Sequence, residues 1–157
     1  MKRLAILADV SNLYYCVDKE YKKKVDYRKY LEFLSDYGTP VYKLAYVAAL
    51  GDEASGFIHA LKSLGFECLV RHPKEYSLPG GGVKKKCDFD VHIAMDMVRL
   101  APVIDCCILG SADGDLTPAV QYLSGKNIPT VIFACGISRE LKASARAAIE
   151  IPPSVLQ

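Results

Sequence analysis

Five largely apolar runs, Leu4 to Ala8, Val41 to Leu50, Phe66 to Val70, Ile104 to Leu109 and Ile128 to Ala134, leave this chain few ways to fold. A strand that alternates apolar and polar residues can face water on one side, whereas an apolar run has to be covered on both, as in a parallel sheet. Between the runs lie stretches with helical spacing: Asp26 to Tyr37, Glu53 to Leu64, Asp88 to Leu100, Asp115 to Ser124 and Ser138 to Ala148. This alternation predicts an α/β three-layer sandwich, with helices on both faces of a central, mostly parallel sheet of about five strands. Right-handed crossovers remove most competing topologies. Gly38, Gly65 and Gly125 stand where left-handed helix C-caps are wanted, and Asp88 and Ser138 where N-caps are. With 157 residues and no internal repeat, the chain reads as a single domain over 1–157.

The chain is 51% apolar and 24% charged, with a net charge of +2, too mild to imply a polyanion partner by itself. Clusters matter more: Lys22, Lys23 and Lys24 form one basic run and Lys84, Lys85 and Lys86 another, each either a solvated face or a phosphate contact. The second run ends an irregular stretch, His72 to Lys86, that contains Pro79-Gly80-Gly81-Gly82 and has the length of a functional loop. Six cysteines without a CxxC pair suggest neither a zinc site nor a disulfide frame, and fit thiols in a reducing cytoplasm. The apolar stretch before Asp9 is too short for a signal peptide, and no run approaches the roughly 20 residues of a membrane span. A soluble cytoplasmic protein is expected, with room for a homo-oligomer.

In an open α/β sheet, ligands bind beyond the carboxyl ends of the strands. Asp9 closes the first apolar run and opens Asp9-Val10-Ser11-Asn12, where it either caps a turn or serves a site. The fourth run leads into Gly110-Ser111-Ala112-Asp113-Gly114-Asp115. Asp115 could cap the next helix, which leaves Asp113 unexplained. A third acidic group, Asp88-Phe89-Asp90, begins a helix on which residues two apart are separated by about 200°, so Asp88 and Asp90 cannot share a target. Asp88 is the natural cap and Asp90 the inward choice, with Asp88 as the fallback. Asp96 lies about 240° around from Asp90 and suits a surface pair or a supporting contact. Carboxylates converging on one pocket repel unless a cation neutralises them. Oxygen-only ligands favour Mg²⁺ or Mn²⁺, and two such ions about 4 Å apart suit in-line attack on a phosphodiester.

Three blocks of the chain resemble the NYN domain, a branch of the PIN-like nuclease superfamily. Asp9-Val-Ser-Asn12 looks like its opening D-x-x-N. Lys86-Cys-Asp-Phe-Asp90-Val-His-Ile-Ala-Met-Asp96-Met97 is similar to a basic lead-in followed by D-V-x-L-A-x-D-M. Gly110-Ser-Ala-Asp113-Gly-Asp115-Leu-Thr-Pro-Ala-Val120 resembles S-G-D-x-D-F-x-P-L-V, the most specific of the three. Ala112 and Leu116 depart from that block, and Arg146 stands where the family often has an acid. The resemblance implies a PIN-like fold and metal-dependent cleavage of RNA by acids at Asp9, Asp90, Asp113 and Asp115, with Asn12 and Ser111 as polar support.

Other chemistries fit less well. A receiver domain needs a lysine closing its fifth strand, where this chain has Phe133-Ala134-Cys135-Gly136, and a haloacid-dehalogenase-type phosphatase needs a second carboxylate beside Asp9. His59, His72 and His92 are scattered, and Cys87 has no base partner in view. The alternative of another class is a PIN-like module that binds RNA or protein with little catalysis. For an RNA partner, taken to be single-stranded, Lys84, Lys85 and Lys86 could hold phosphates, and tyrosines such as Tyr14, Tyr15, Tyr27 and Tyr76 could stack on bases.

Overall fold

The computed structural model describes residues 1–157 apart from the side chains of Lys85 and Lys86. In chain order the elements are β1 (Arg3–Asp9), α1 (Val10–Tyr21), α2 (Tyr27–Leu34), β2 (Thr39–Ala48), α3 (Ala54–Ser63), β3 (Glu67–Arg71), β4 (Lys74–Ser77), β5 (Val83–Lys86), α4 (Asp90–Leu100), β6 (Cys106–Gly110), α5 (Thr117–Gly125), β7 (Thr130–Ala134), α6 (Arg139–Ser144) and β8 (Ala147–Glu150). Six strands form one sheet in the order β3-β2-β1-β6-β7-β8, and every neighbouring pair is parallel. Strands β4 and β5 make a separate antiparallel ribbon. No helix among the described residues is long and apolar enough to cross a membrane.

The chain starts mid-sheet at β1, winds outward to β3, returns to β6 beside β1, and then winds the other way to β8. This reversal creates a switch point between β1 and β6, where departing connections open a crevice at the carboxyl ends. The central strands explain the apolar runs: β6 and β7 are buried throughout, and β1 is buried from Leu4 onward. The edge strands β3 and β8 are only partly covered, so they carry Glu67, Arg71 and Glu150 at exposed positions.

The expected helices over Asp26 to Tyr37, Glu53 to Leu64 and Asp88 to Leu100 form with ends shifted by up to three residues, as fraying and turn chemistry allow. Helix α1 goes unannounced by apolar spacing, because its buried stripe is only Val10, Leu13 and Val17 while Tyr14 and Tyr15 face water. The helix expected over Ser138 to Ala148 stops at Ser144. Beyond it, the Arg146 N–H donates to the Thr130 carbonyl at 2.9 Å, and Ala147 to Glu150 add a sixth strand beside β7. Sheet pairing there overrides the helix propensity of the alanines. The irregular stretch His72 to Lys86 is a ribbon rather than a loop. Gly125 ends α5 without a left-handed turn, a conformation adopted instead by Asn127 at φ 62.

Gly110, the last residue of β6, is set by clearance. A Cβ built on it would lie 2.7 Å from the Tyr30 hydroxyl oxygen and 3.3 Å from Ala8 Cα. Tyr30 is wholly buried, and its hydroxyl donates to the Phe133 carbonyl at 3.0 Å, so it cannot move aside freely. Gly110→Ala should therefore cost about 2 kcal/mol from overpacking, and Tyr30→Phe about 1 kcal/mol from the lost hydrogen bond. The double variant removes the clashing oxygen, so urea denaturation should show a loss smaller than the sum of the two.

Candidate metal centre at the switch point

Two strand ends and one helix start supply the acids. Asp9 closes β1 and also caps α1, its Oδ1 accepting the Asn12 N–H at 3.3 Å, so cap and site residue coincide. Asn12 in turn points its Oδ1 across to β6's outgoing loop, where it accepts the Ala112 N–H at 3.0 Å. Cys16 donates its thiol to the same oxygen. Ser111, wholly buried, accepts the Asp113 N–H at 3.3 Å. These bonds lock the loop in which Asp113 opens a short 3-10 turn, its Oδ1 accepting the Asp115 N–H at 2.9 Å. The cap is thus Asp113, not Asp115, and the Asp115 residue is exposed. Short polar side chains favour such places because they satisfy N–H groups that the turn leaves unpaired.

Asp90 is the first residue of α4, and Asp88 accepts its N–H through Oδ1 at 2.8 Å. The N-cap position itself is Phe89, not the expected Asp88, which stays exposed one residue earlier and meets the helix only through this bond. One oxygen each of Asp90, Asp113 and Asp115 lies within 4.8 Å of the others. Asp9 stands outside that triad but close enough to share its field. Burial raises the Asp9 carboxyl from 3.8 to about 6, against the Asn12 N–H and with the help of the Asp113 and Asp88 charges. Burial also raises Asp90 to about 7, followed by its hydrogen bond to Asp113 and by the charges of Asp113, Asp88 and Asp9. Oxygen donors confined in this way fit a hard divalent cation, which would offset the desolvation, and with it the mutual repulsion, that raises both acids.

Other residues singled out in the sequence fall elsewhere. Arg146 immediately precedes β8 beside Thr130, at the amino end of the sheet and away from the acids. It lines an open cavity of about 300 Å³ with Thr130, Asn127 and Ser144. Lys84 is exposed on β5, while the Lys85 and Lys86 side chains lie outside the described residues. Tyr14, Tyr15 and Tyr76 are exposed, but Tyr27 is buried against Phe57 and Phe66. Its place beside Tyr30 in an amphipathic helix gave it a core role rather than a surface one.

Apolar spacing also passed over Tyr46, which sits opposite Asp9 in the β1–β2 register. The buried Tyr46 hydroxyl donates to Asp96 Oδ2 at 2.6 Å, and its ring packs against Phe89. Asp96 also bonds Arg99. The signal available in the sequence was an aromatic hydroxyl near the end of a buried strand, which needs a partner. Asp96 is that partner, and the pair joins α4 to the sheet.

Without a cation, the folded chain holds on Asp9 a proton that the unfolded chain releases near pH 3.8. Stability from this group is therefore fully present at low pH and declines as pH rises toward about 6. Asp9→Asn keeps an oxygen for the Asn12 N–H and removes the charge. Denaturation in the presence of chelator should show it more stable than wild type by on the order of 2 kcal/mol at pH 8, with the difference gone near pH 4. A less stable variant at pH 8 would contradict this account.

Known proteins resemble this chain over nearly its whole length. A protein of unknown function, VPA0982 from Vibrio parahaemolyticus, has a crystal structure that superposes with a TM-score of 0.87 at 29% identity, covering 99% of this chain and 96% of that one. The low amplitude and bright protein LabA of Synechococcus elongatus is 30% identical over 158 aligned residues, which cover 95% of this chain and 83% of LabA. The NYN domain matches residues 3–152, from the first residue of β1 to just past β8, and with that extent of agreement the chain belongs to the NYN domain family.

Proposed function

We propose that residues 1–157 act as one domain, a divalent-metal-dependent ribonuclease that hydrolyses phosphodiester bonds of single-stranded RNA in the cytoplasm. The observation that carries this reading is the convergence of Asp90, Asp113 and Asp115 oxygens within 4.8 Å of one another, at the switch point where an α/β sheet places its ligand. Membership in the NYN family supports a nuclease-like, RNA-related role. All six cysteines are free thiols, which suits a reducing compartment.

Asp90, Asp113 and Asp115 would hold Mg²⁺ or Mn²⁺, with Asp9 completing the acidic site from the end of β1. When bound, such an ion supplies charge stabilisation at the phosphoryl group and lowers the pKa of an attacking water. The chain's own contribution is positioning. Asn12 and Ser111 hold the N–H groups of Ala112 and Asp113, so the Asp113 carboxylate is aimed before any ligand arrives, and pre-set polar groups need no reorganisation during reaction. Lys84, Lys85 and Lys86, six to four residues before Asp90, would hold the phosphates of the RNA backbone.

Purified protein with Mg²⁺ or Mn²⁺ should cleave a labelled single-stranded RNA, and chelator should stop it. Asp113→Asn keeps an acceptor for the Asp115 N–H, so its circular dichroism should match wild type. Its cleavage rate should fall about a hundredfold or more, the scale of losing one electrostatic group at a reacting centre. Asp9→Asn should lose activity as well. Undiminished cleavage by both variants sinks the site assignment, and metal-supplemented wild type that binds RNA without cutting it would make the chain an RNA-binding module instead.

A further inference from the structure

Every residue from Lys74 to Lys84 on the β4–β5 ribbon is exposed. A two-stranded ribbon with neither face covered is marginally stable in water, yet this one leaves Tyr76 50%, Leu78 44% and Val83 60% exposed. Its turn depends on Gly80, Gly81 and Gly82, at φ +85, +99 and +95, conformations that L side chains rarely adopt. The Leu78 N–H closes the turn onto the Gly82 carbonyl at 3.0 Å.

Directly paired residues of an antiparallel ribbon project from the same face, as do residues two apart along one strand. Tyr76 pairs with Lys84, and Lys74 precedes Tyr76 by two. One face therefore carries an aromatic ring with an ammonium group on either side, while Glu75 and Ser77 belong to the other. Arg71, exposed at the end of β3, adds positive charge where the ribbon begins. This surface is complementary to a polyanion whose aromatic bases are accessible. A duplex hides its base faces in the stack and offers Tyr76 nothing to cover. The ribbon also runs directly into the acidic site, since at most about 20 Å of chain separates Lys84 from Asp90.

We infer that the β4–β5 ribbon is the arm that selects single-stranded RNA for the acidic site, with Tyr76 stacked on an unpaired base and Lys74 and Lys84 on the flanking phosphates. The choice of RNA rests on the ribonuclease reading, but the test does not require cleavage. Fluorescence anisotropy in chelator would compare a labelled oligouridylate of about a dozen nucleotides with a duplex RNA of equal length, a size that spans one such surface. Wild type should hold the single strand more tightly than the duplex. Tyr76→Ala should weaken single-strand binding about tenfold, the scale of one stacked base, with little effect on the duplex. Tyr76→Phe should bind like wild type, because the ring and not the hydroxyl is used. Joint replacement of Lys74 and Lys84 by alanine should weaken both ligands and flatten the salt dependence.

Tyr76 is outside the core, so its loss should leave the circular dichroism spectrum unchanged. Equal single-strand binding by wild type and Tyr76→Ala overturns the inference, as does a wild type that binds duplex equally well or binds neither RNA. If Asp113→Asn cuts like wild type while Tyr76→Ala still loses binding, the ribbon's role stands and only the chemistry assigned to the acids falls.

Discussion

Burial of carboxylates at the switch point, made worse by their mutual repulsion, is the constraint to which the rest of this structure responds. Burial and neighbouring charge raise Asp9 and Asp90 to about 6 and about 7, so the fold holds these groups together against their own preference. Sheet pairing does part of that work: β1 is hydrogen-bonded on both sides, to β2 and to β6, and Asp9 cannot retreat without breaking a central strand. The Asn12 contact to the Ala112 N–H does another part, since it ties the first connection of the sheet to the loop that follows its neighbour. A cation would lower the energy of the whole arrangement, which is the usual relation between a strained polar site and its ligand.

The acids come from separate stretches of chain, residues 9, 88 to 90 and 113 to 115, and none forms a site alone. Each arrives with a local reason to be where it is: Asp9, Asp88 and Asp113 all accept backbone N–H groups. Local capping sets the direction of each turn, and the parallel sheet sets the distances between turns. Site geometry is thus a tertiary property assembled from ordinary secondary-structure chemistry.

That division explains what could be read from the sequence. Apolar runs that must be covered on both faces revealed the central strands, and Asp9 and Asp113 stood out because they close or follow such runs, whereas Asp90 was read from the start of a helix. Helical angles favoured Asp90 over Asp88 in the sequence, but α4 begins only at Asp90, and it is tertiary placement that brings the Asp90 oxygen beside those of Asp113 and Asp115. The less legible parts depend on partners distant in sequence. Ala147 to Glu150 have no strand-like pattern and become a strand by pairing with β7. The ribbon lacks apolar alternation because its residues from Lys74 to Lys84 are all exposed. Tyr27 shares the buried face of α2 with Tyr30, and its contacts there are Phe57 and Phe66, distant in sequence. Capping of the last acidic turn by Asp113 rather than Asp115 is a shift of two residues, within the latitude of helix boundaries read from sequence.

The Tyr46–Asp96 bond acts as an axial ruler for α4. Sliding the helix along the sheet by even one residue, about 1.5 Å, would carry Asp96 out of line and leave a buried phenol without its acceptor, a change that costs on the order of 1–3 kcal/mol. Helix α4 therefore has one preferred setting along its axis, and the first residue of that helix is Asp90. The position of an acid at the crevice is in this way calibrated from nearly two turns away, by a tyrosine on the strand that neighbours Asp9.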